Sequence, residues 1–292
     1  MIIGKILGGL GNQMFQYAAT RSLAASKDVP YCLDVTQFSR YRLHQGFEIH
    51  TIFDCNSRMA KKSEIASVLR WQSSDIVRRL LSRTALSGFR SSSWVREPHF
   101  GFWKGFFDAP SNCYLDGYWQ SEKYFQNVQD VIRNDFNFRL PMSQQNAVLA
   151  NKIKNSTAIS LHVRRGDYVA NHNANKTHGV CSVEYYKLAI AQMAAQIKNP
   201  SFFVFSDDME WVRQKINIEY PCEFVENNKG AESYNDMRLM SMCQHHIVAN
   251  STFSWWGAWL NPSRNKIVIA PKKWFAKDDS AVDLIPSGWI TV

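Results

Sequence analysis

The chain has 292 residues, of which 45% are hydrophobic and 20% are charged, and its net charge is +9. This composition fits one large globular domain or two of about 150 residues, and it excludes a low-complexity chain. No run of 18 apolar residues predicts a transmembrane helix, and the N-terminal MIIGKILGGLGNQ lacks the features of a signal peptide. The six cysteines are scattered without a C-x-x-C pair, so we expect reduced thiols in a cytoplasmic protein.

The first predicted elements are a strand, a glycine loop and a helix. Residues 2–7 form the strand, Gly8-Gly9-Leu10-Gly11 the loop and residues 13–26 the helix. Glycines let a ligand approach the backbone, and a helix N-terminus attracts an anion. The loop is not a dinucleotide fingerprint, because Gln13 occupies the third glycine position, and no P-loop sequence follows. A purely structural turn is an equal alternative here.

A basic segment follows the second predicted strand, which spans residues 30–34. Residues 58–96 contain nine arginines and lysines against Glu64 and Asp75, which accounts for most of the net charge. Apolar residues recur there near helical spacing, which favours a helix with a solvated basic face. The alternative is a surface for an anionic membrane or a lipid-linked acceptor. We expect no nucleic-acid partner, because the excess charge is confined to one segment without a known binding motif.

The C-terminal half alternates strands and helices. After a predicted strand at 114–119 and helix at 121–136, the stretch Leu140-Pro141-Met142-Ser143 marks a boundary. Strands are then predicted at 157–163, 201–205, 222–225, 245–249 and 266–270, and helices at 183–197, 209–216, 232–243 and 252–260. This alternation predicts a parallel sheet covered on both faces. We therefore expect two α/β domains, residues 1–145 and 146–292, with ligands outside the carboxyl ends of the strands.

Two adjacent arginines follow the first strand of this half, in the stretch ISLHVRRGDYV. His162 and Arg164 alternate out of the strand, and Arg165-Gly166-Asp167 forms a turn. Guanidinium groups bind phosphate through paired hydrogen bonds and stay charged at any working pH. The alternative is a surface ion pair between an arginine and Asp167, which applies less to Arg164 because it is nearer the strand.

Two further strand ends carry polar residues. Asn250-Ser251-Thr252-Phe253-Ser254 either caps a helix or binds a phosphate, while Trp255-Trp256 is expected to pack in the core. Ser206-Asp207-Asp208 either caps the next helix or faces the ligand. The chain contains no D-x-D pair, a common Mn²⁺ site in sugar-nucleotide enzymes. We therefore expect arginines and a helix dipole to neutralise phosphates without a metal.

Taken together, these motifs resemble one known family. LGGLGNQMFQYA, LDGYWQSEKYF, HVRRGDY, SDDMEW and IVANSTFSWWGAWL are similar, in the same order, to the bacterial α-1,2-fucosyltransferases of glycosyltransferase family 11. The resemblance covers nearly the whole chain, and the combination of motifs is highly specific. It implies a GT-B architecture, in which two Rossmann-like domains with parallel sheets face a central cleft. Residues 1–145 would be the acceptor-side domain and residues 146–292 the GDP-fucose-binding domain. The reaction would invert the anomeric carbon and need no metal or other cofactor.

The resemblance also implies residue roles. Arg164 would bind the β-phosphate of GDP, Arg165 would be a second essential arginine, and His162 would lie by the guanine or ribose. Asp236 would read the guanine edge. The implied catalytic residues are Arg164, Arg165 and Asn12. The implied donor-binding residues are Gly9, Gly11, Asn12, Gln13, His162, Arg164, Asp236, Asn250, Ser251, Thr252 and Ser254.

The general base is left open by the sequence. Inverting transfer needs the acceptor hydroxyl to be deprotonated on the face opposite GDP. The candidates are Asp116, His178 and His44, each of which could instead be a turn residue or an ordinary hydrogen-bonding group. A dissociative transition state would need no strong base. The implied acceptor is a terminal β-galactoside, which could be part of a lipid-linked oligosaccharide. The implied setting is O-antigen or surface polysaccharide synthesis in the cytoplasm or at the inner membrane face.

Overall fold

The computed structural model describes residues 1–39, 45–82, 84–166, 179–275 and 283–292. The chain divides into two compact units, Met1–Arg139 and Leu140–Val292. The second unit begins before residue 146, the predicted start, and it contains the whole helix Gln144–Lys154. This helix belongs there because Leu149 and Ile153 share a buried core with residues of the second sheet, among them Phe203.

The first unit is built around a five-stranded parallel sheet. Its strands are β1 (Ile2–Lys5), β2 (Tyr31–Asp34), β3 (Arg58–Met59), β4 (Trp94–Arg96) and β5 (Cys113–Asp116). Its helices are α1 (Leu10–Lys27), α2 (Ile49–Ile52), α3 (Lys62–Leu69), α4 (Asp75–Leu81) and α5 (Gln129–Asp135). The strand order is β3-β2-β1-β5-β4 and every pair is parallel.

Several boundaries in this unit differ from the predicted ones. Helix α1 begins at Leu10, so Leu10 and Gly11, which were predicted in the glycine loop, lie in its first turn. The predicted helix at 121–136 is two short 3-10 turns followed by α5. The basic segment forms two helices, α3 and α4, because Arg70 adopts a left-handed φ of 53° after α3.

Gly4 brings the first helix directly onto the first strand. A Cβ atom at this position would lie 2.0 Å from Oγ1 of Thr20 on α1, a distance no real contact allows. The other face of the sheet is covered by α3 and α4, whose buried residues include Ile65, Leu69 and Leu81. The sheet is therefore covered on both faces, as parallel sheets require.

The second unit contains a six-stranded parallel sheet. Its strands are β6 (Thr157–Val163), β7 (Pro200–Ser206), β8 (Cys222–Val225), β9 (His245–Ile247), β10 (Val268–Ala270) and β11 (Ile290–Thr291). Its helices are α6 (Gln144–Lys154), α7 (Val183–Gln196), α8 (Met209–Lys215), α9 (Tyr234–Met242) and α10 (Thr252–Leu260). The strand order is β11-β10-β9-β6-β7-β8, again parallel throughout.

The alternating side chains of β6 enter two separate cores. Ile159 and Leu161 pack in a cluster with residues of α7 and α8, such as Tyr186 and Val212. Ala158 packs in a second cluster with residues of α6 and α9. The sequence prediction of a parallel sheet covered on both faces is confirmed, and β11 is an additional edge strand that the sequence did not indicate.

The order of strands defines where loops diverge. In the second unit the chain runs from β6 through β7 to β8 and then returns to the other side of β6 as β9. At such a reversal the loops leave the sheet towards opposite faces and open a crevice, which is where open α/β sheets bind ligands. The corresponding reversal in the first unit lies between β1 and β5. Within the part of the chain that the structure describes, no helix combines the length and apolarity needed to cross a membrane.

Candidate active site

Arg164 is the first residue after β6, beside the strand reversal. Its Nη1 lies 2.9 Å from Oδ2 of Asp207, the first residue after β7. The two residues are neighbours because β6 and β7 pair in register up to Val163 and Ser206. A guanidinium offers N–H donors in a rigid fork, a geometry that suits a carboxylate such as Asp207 and also a phosphate. About a quarter of the side chain, 26%, is exposed.

Arg165 is held by three interactions. Its backbone N–H donates to Oδ1 of Asp207 at 2.8 Å, and its Nε lies 3.3 Å from Oδ2 of Asp208. Its guanidinium carbon lies 3.8 Å from the centroid of the Trp211 ring. Among the described residues, the acidic partner of the Arg165 side chain is thus Asp208. Asp167, the partner considered from the sequence, lies outside the described residues.

The SDDMEW motif therefore holds the arginine turn. Asp208 also caps α8, because its Oδ1 accepts the backbone N–H of Trp211 at 3.2 Å. Gly166 completes the contact, since a Cβ atom there would lie 3.0 Å from Oδ2 of Asp207. The sequence left open whether these aspartates cap a helix or face a ligand. The structure gives Asp208 the capping role and gives both aspartates an arginine to position.

His162 is a buried, neutral histidine next to this turn. Its side chain is 5% exposed, and its Nδ1 has no hydrogen-bond partner among the described residues. Burial lowers the pKa of His162 to about 4; Asp207 opposes this shift, and Arg164 adds to it. The ring lies 6.0 Å from that of Phe253, at the start of α10. A buried imidazole with an unsatisfied nitrogen is suited to a polar ligand group.

The start of α10 lies just beyond β9, on the other side of the strand reversal. The Oγ of Ser251 accepts the backbone N–H of Phe253 at 3.3 Å, and the Oγ of Ser254 donates to the carbonyl of Ser251 at 3.3 Å. Thr252 is half-buried. Ser251 therefore caps the helix, which is one of the two alternatives that the sequence left open. The helix N-terminus itself still offers backbone N–H groups and a positive dipole end to an anion.

Asn250 joins three segments of the second unit. Its Nδ2 donates to the carbonyls of Gly179 and Trp274, both at 3.2 Å, and its Oδ1 accepts from Sγ of Cys181 at 3.4 Å. The side chain is 3% exposed. These contacts give Asn250 a structural role in fixing the loop between β9 and α10. The neighbouring Trp255 and Trp256 are fully buried, which confirms that they pack in the core.

Asp236 lies in the first turn of α9, beside a cluster of amides. Its Oδ1 accepts from Nδ2 of Asn228 at 2.7 Å, and Asn228 in turn accepts from Asn146 at 2.9 Å. Asn227 donates to Asn146 at 2.7 Å. Burial raises the pKa of Asp236 to about 7, while the Asn228 hydrogen bond opposes the shift. The carboxyl thus changes charge near neutral pH, next to the carboxyl end of β8.

In the first unit, the glycine turn after β1 is shaped by Gln13. Gly8 adopts a left-handed φ of 84°, and its carbonyl accepts from Nε2 of Gln13 at 2.9 Å. The same Nε2 donates to Gly46 at 2.7 Å, and Oε1 accepts the backbone N–H of Glu48 at 2.9 Å. Gln13 is fully buried. Its side chain therefore supports the turn from within, whereas Gly9 and Gly11 can contribute only backbone groups.

Asn12 is positioned by a residue of the segment that follows β5. Its Oδ1 accepts from Nε2 of Gln120 at 2.8 Å. The turn before Gln120 is held by Glu97, whose two carboxylate oxygens accept the backbone N–H groups of Tyr118 and Trp119 at 2.7 and 3.0 Å. Burial raises the pKa of Glu97 to about 7. Sequence reasoning missed Glu97 and Gln120. Gln120 lies within the LDGYWQSEKYF motif that carried the resemblance, whereas Glu97 lies in a stretch without a recognisable pattern.

Of the three candidate bases, only Asp116 lies within the described residues. Its Oδ1 accepts from Nζ of Lys5 at 2.7 Å, and its Oδ2 accepts from Nε1 of Trp94 at 3.2 Å. Both oxygens thus join neighbouring strands at the carboxyl edge of the first sheet. His44 and His178 lie outside the described residues. Among the residues that the structure describes, no group of three or more His, Cys, Asp or Glu side chains is arranged to hold a metal ion.

Comparison with known protein families shows which family the chain belongs to. Residues 5–292 match the model of Glycosyl transferase family 11. The chain belongs to this family. The resemblance drawn from the sequence motifs is thereby confirmed over almost the full length.

Three curated relatives illustrate the range of family 11. An α-1,2-colitosyltransferase of Escherichia coli is 34% identical, with 100% of this chain and 99% of the relative aligned. The O-antigen biosynthesis glycosyltransferase WbnK of Escherichia coli is also 34% identical, with 98% of each chain aligned. A galactoside α-(1,2)-fucosyltransferase 1 of Plecturocebus brunneus is 26% identical over 61% of this chain and 50% of the relative.

Solved structures agree on the fold. The fucosyltransferase NodZ from Bradyrhizobium is similar with a TM-score of 0.56 and 14% identity, over 89% of this chain and 92% of NodZ. NodZ is an α-1,6-fucosyltransferase of which a crystal structure soaked with GDP-fucose is known. The fold is that of the GT-B fucosyltransferases, as the motifs implied.

Proposed function

We propose that this family 11 enzyme transfers L-fucose from GDP-fucose to the 2-hydroxyl of a terminal β-galactoside, with inversion at the anomeric carbon. The observation that carries this proposal is the ion pair between Arg164 and Asp207 at 2.9 Å, beside the strand reversal of the second unit. Arginine held in this way is preorganised for a diphosphate. The relatives named for α-1,2 transfer and for O-antigen biosynthesis support the linkage and the setting.

Stabilisation of the departing diphosphate is the main catalytic task. Breaking the bond between fucose and phosphate places negative charge on GDP and leaves an oxocarbenium-like sugar. Arg164 would bind the β-phosphate, with Arg165 and the start of α10 adding positive potential. The hydroxyls of Thr252, Ser251 and Ser254 would lie nearby. Each preorganised donor of this kind is worth about 3–4 kcal/mol.

The nucleoside would be recognised by polar groups of the second unit. Neutral His162, with an unsatisfied Nδ1, can exchange a hydrogen bond with the ribose or guanine. Asp236 in its charged form can accept the N–H groups of a guanine edge, and the surrounding amides add further donors and acceptors. Asn250 would act through the loop that it holds.

The sugar would meet the glycine turn of the first unit. Asn12 would contact the fucose and β-phosphate, with its amide oriented by Gln120. Gly9 and Gly11 would let the ligand approach the backbone, while Gln13 maintains the turn. No metal or other cofactor is required in this scheme. Activity that persists in EDTA supports this part of the proposal, and loss that added Mg²⁺ or Mn²⁺ restores contradicts it.

The base that accepts the proton of the acceptor hydroxyl is proposed from Asp116, His178 and His44. Asp116 would first have to give up Lys5 or Trp94 as a partner. A dissociative transition state, which needs little nucleophile activation, is the alternative. Profiles of kcat/KM against pH for the three alanine variants distinguish these cases: loss of one ionisation identifies the base, and three unchanged profiles favour the alternative.

A second donor has support of its own. The E. coli colitosyltransferase aligns with the whole chain at 34% identity, so colitose is a second candidate for the transferred sugar. Fucose and colitose differ by one hydroxyl, at carbon 3. A site that hydrogen-bonds this hydroxyl rejects the deoxy analogue strongly, because its buried polar partners are left unpaired.

The decisive experiment combines both donors with a panel of β-galactosides. We expect fucose transfer to the 2-hydroxyl, identified by linkage analysis of the purified product, with kcat/KM higher for GDP-fucose than for GDP-colitose. A higher value for GDP-colitose would assign the second donor. Transfer to another hydroxyl, or to no galactoside, would contradict the proposed acceptor. We propose that the enzyme works in the cytoplasm on a growing surface polysaccharide.

A further inference from the structure

The basic segment of the first unit displays large apolar side chains to solvent. Among the described residues, the three most exposed large hydrophobic side chains are Ile76 at 73%, Phe89 at 69% and Trp71 at 59%. All three lie within 19 residues of sequence, from 71 to 89. Leu80 is a fourth, at 46%. Single exposed apolar residues are common on protein surfaces, but a local concentration that includes tryptophan and phenylalanine indicates an interaction site.

These side chains belong to elements that contact one another. Helix α4 contacts both the turn Arg70–Ser73 and the turn Thr84–Phe89, and α3 contacts the first of these turns. The inner faces of α3 and α4 already pack against the sheet, because Ile65, Leu69 and Leu81 are buried in its core. Ile76 and Leu80 are four residues apart on α4 and therefore lie on one outward face. The exposed residues are thus not required to fill the core.

Exposed cationic side chains lie on or beside the same elements as the apolar ones. Lys61, Lys62, Arg70 and Arg79 are exposed, whereas Arg58 is engaged in an ion pair with Glu64 at 2.7 Å. The segment from 58 to 96 carries nine basic and two acidic residues. We define the basic apolar patch as Lys61, Lys62, Arg70, Trp71, Ile76, Arg79, Leu80 and Phe89.

We propose that the basic apolar patch binds the surface of a membrane that contains anionic lipid. Apolar side chains, tryptophan above all, partition into the interface between headgroups and acyl chains, and lysine and arginine are attracted to anionic headgroups. The exposed apolar side chains and the exposed cations together favour an anionic membrane over an uncharged one or over a purely polar partner. Nucleic acid is less suitable because it offers phosphates without an apolar layer. A second copy of the chain is less suitable because a two-fold contact would place two positive patches against each other.

Such binding does not depend on which sugar the enzyme transfers. It would keep the enzyme at the membrane where a lipid-linked acceptor is located, and it would leave transfer to a water-soluble acceptor unchanged. None of the patch residues belongs to the candidate active site. Membrane binding and the proposed transferase reaction can therefore fail independently in an experiment.

The test is co-sedimentation of the full chain with vesicles of phosphatidylcholine alone or with 30 mol% phosphatidylglycerol, at low and at physiological salt. We expect binding to the anionic vesicles that weakens with salt. The triple variant Trp71→Ser, Ile76→Ser, Phe89→Ser should bind at least about tenfold more weakly. Lys61→Ser and Lys62→Ser should each weaken binding about fivefold.

A matched control removes exposed apolar side chains elsewhere. Val148→Ser, Leu188→Ser and Met242→Ser, in the second unit, change residues that are 52%, 52% and 41% exposed. This variant should bind vesicles as the unchanged protein does. Both triple variants should retain turnover with a soluble acceptor, which verifies folding. The proposal is overturned if the unchanged protein does not bind anionic vesicles at low salt, or if the patch variant binds equally well. It is also overturned if sedimentation velocity shows a dimer that only the patch variant loses.

Discussion

The guanidinium carbon of Arg165 lies 3.8 Å from the centroid of the Trp211 ring, while Asp208 forms an ion pair with the same side chain at 3.3 Å. A similar trio occurs in the same unit, where Arg213 lies 4.1 Å from the ring of Phe224 and pairs with Glu226. The Arg213 side chain is 47% exposed, whereas that of Arg165 is 17% exposed. The first trio orders the turn that presents Arg164, and the second lies on the surface.

This contrast predicts the effect of removing the indole. Trp211→Leu should weaken GDP binding by about three- to tenfold, because a cation–π contact worth about 1 kcal/mol no longer orders the turn. Phe224→Leu removes the equivalent contact of Arg213 and is the control. Isothermal titration of GDP into both variants measures the difference. Equal GDP affinities would show that the turn is ordered without Trp211.

Arg164 is predicted to stabilise the leaving diphosphate. Arg164→Ala should lower kcat by at least about a hundredfold, since a preorganised donor to the developing charge is lost. Arg164→Lys should recover only part of the rate, because an ammonium cannot form the paired contact of a guanidinium. Arg213→Ala, which removes an exposed arginine of the same unit, should stay near the original rate. Steady-state kinetics with saturating GDP-fucose tests this role, and near-normal turnover of Arg164→Ala would refute it.

Gln120 is predicted to act through Asn12. The two amides hydrogen-bond at 2.8 Å. We therefore expect the double variant Gln120→Leu, Asn12→Ala to lose less transition-state stabilisation, measured from kcat/KM, than the two single variants lose when their losses are added. Coupled neighbours show interaction energies of about 0.5–3 kcal/mol. Ser26→Ala is the control partner, because Ser26 lies near the other end of α1, about 20 Å along the helix. Additive effects of Gln120→Leu and Asn12→Ala would mean that Gln120 has no positioning role.

Asp236 is predicted to make stability depend on pH. Its pKa is raised by burial from 3.8 to about 7, so the folded chain binds more protons than the unfolded chain between these values. Stability should therefore fall as the pH rises from about 4 to about 7, by at most about 1.4 kcal/mol per pH unit for this group. Asp236→Asn cannot ionise and should reduce the loss. Chemical denaturation of both proteins at pH 5 and pH 8 measures how much the free energy of unfolding falls between these values. Glu97 and Glu48 also have pKa values raised to about 7, but they are present in both proteins, so the difference between the proteins reports Asp236.

The same ionisation should affect the nucleotide in the opposite direction. If Asp236 accepts N–H groups of guanine, GDP binds the charged form, and its affinity should fall as the pH drops below about 7. Asp236→Asn should bind GDP more weakly at pH 8 and with less dependence on pH. A pH dependence that is identical in both proteins would separate Asp236 from guanine recognition.

Much of the fold could be predicted from local patterns. Alternating strands and helices identified two parallel sheets, because buried parallel strands are short apolar runs separated by amphipathic helices. The prediction failed where local geometry overrode composition. The basic segment forms two helices because Arg70 adopts a positive φ that ends the first of them. The stretch before α5 forms two 3-10 turns, Glu122–Tyr124 and Gln126–Val128. No periodicity in the sequence distinguishes these cases from longer helices.

The site was predictable in its chemistry and not in its contacts. The sequence by itself determined that arginines, a glycine turn and a helix start stand at strand ends, and that the motifs belong to family 11. Only the tertiary structure decided which aspartate holds which arginine, that Gln13 supports its turn, and that Glu97 holds the turn before Gln120. The physical reason is that these contacts join residues that only the folded chain brings together. Strand pairing places Arg165 beside Asp207 and Asp208, which are 42 and 43 residues away, across a register that no local pattern encodes.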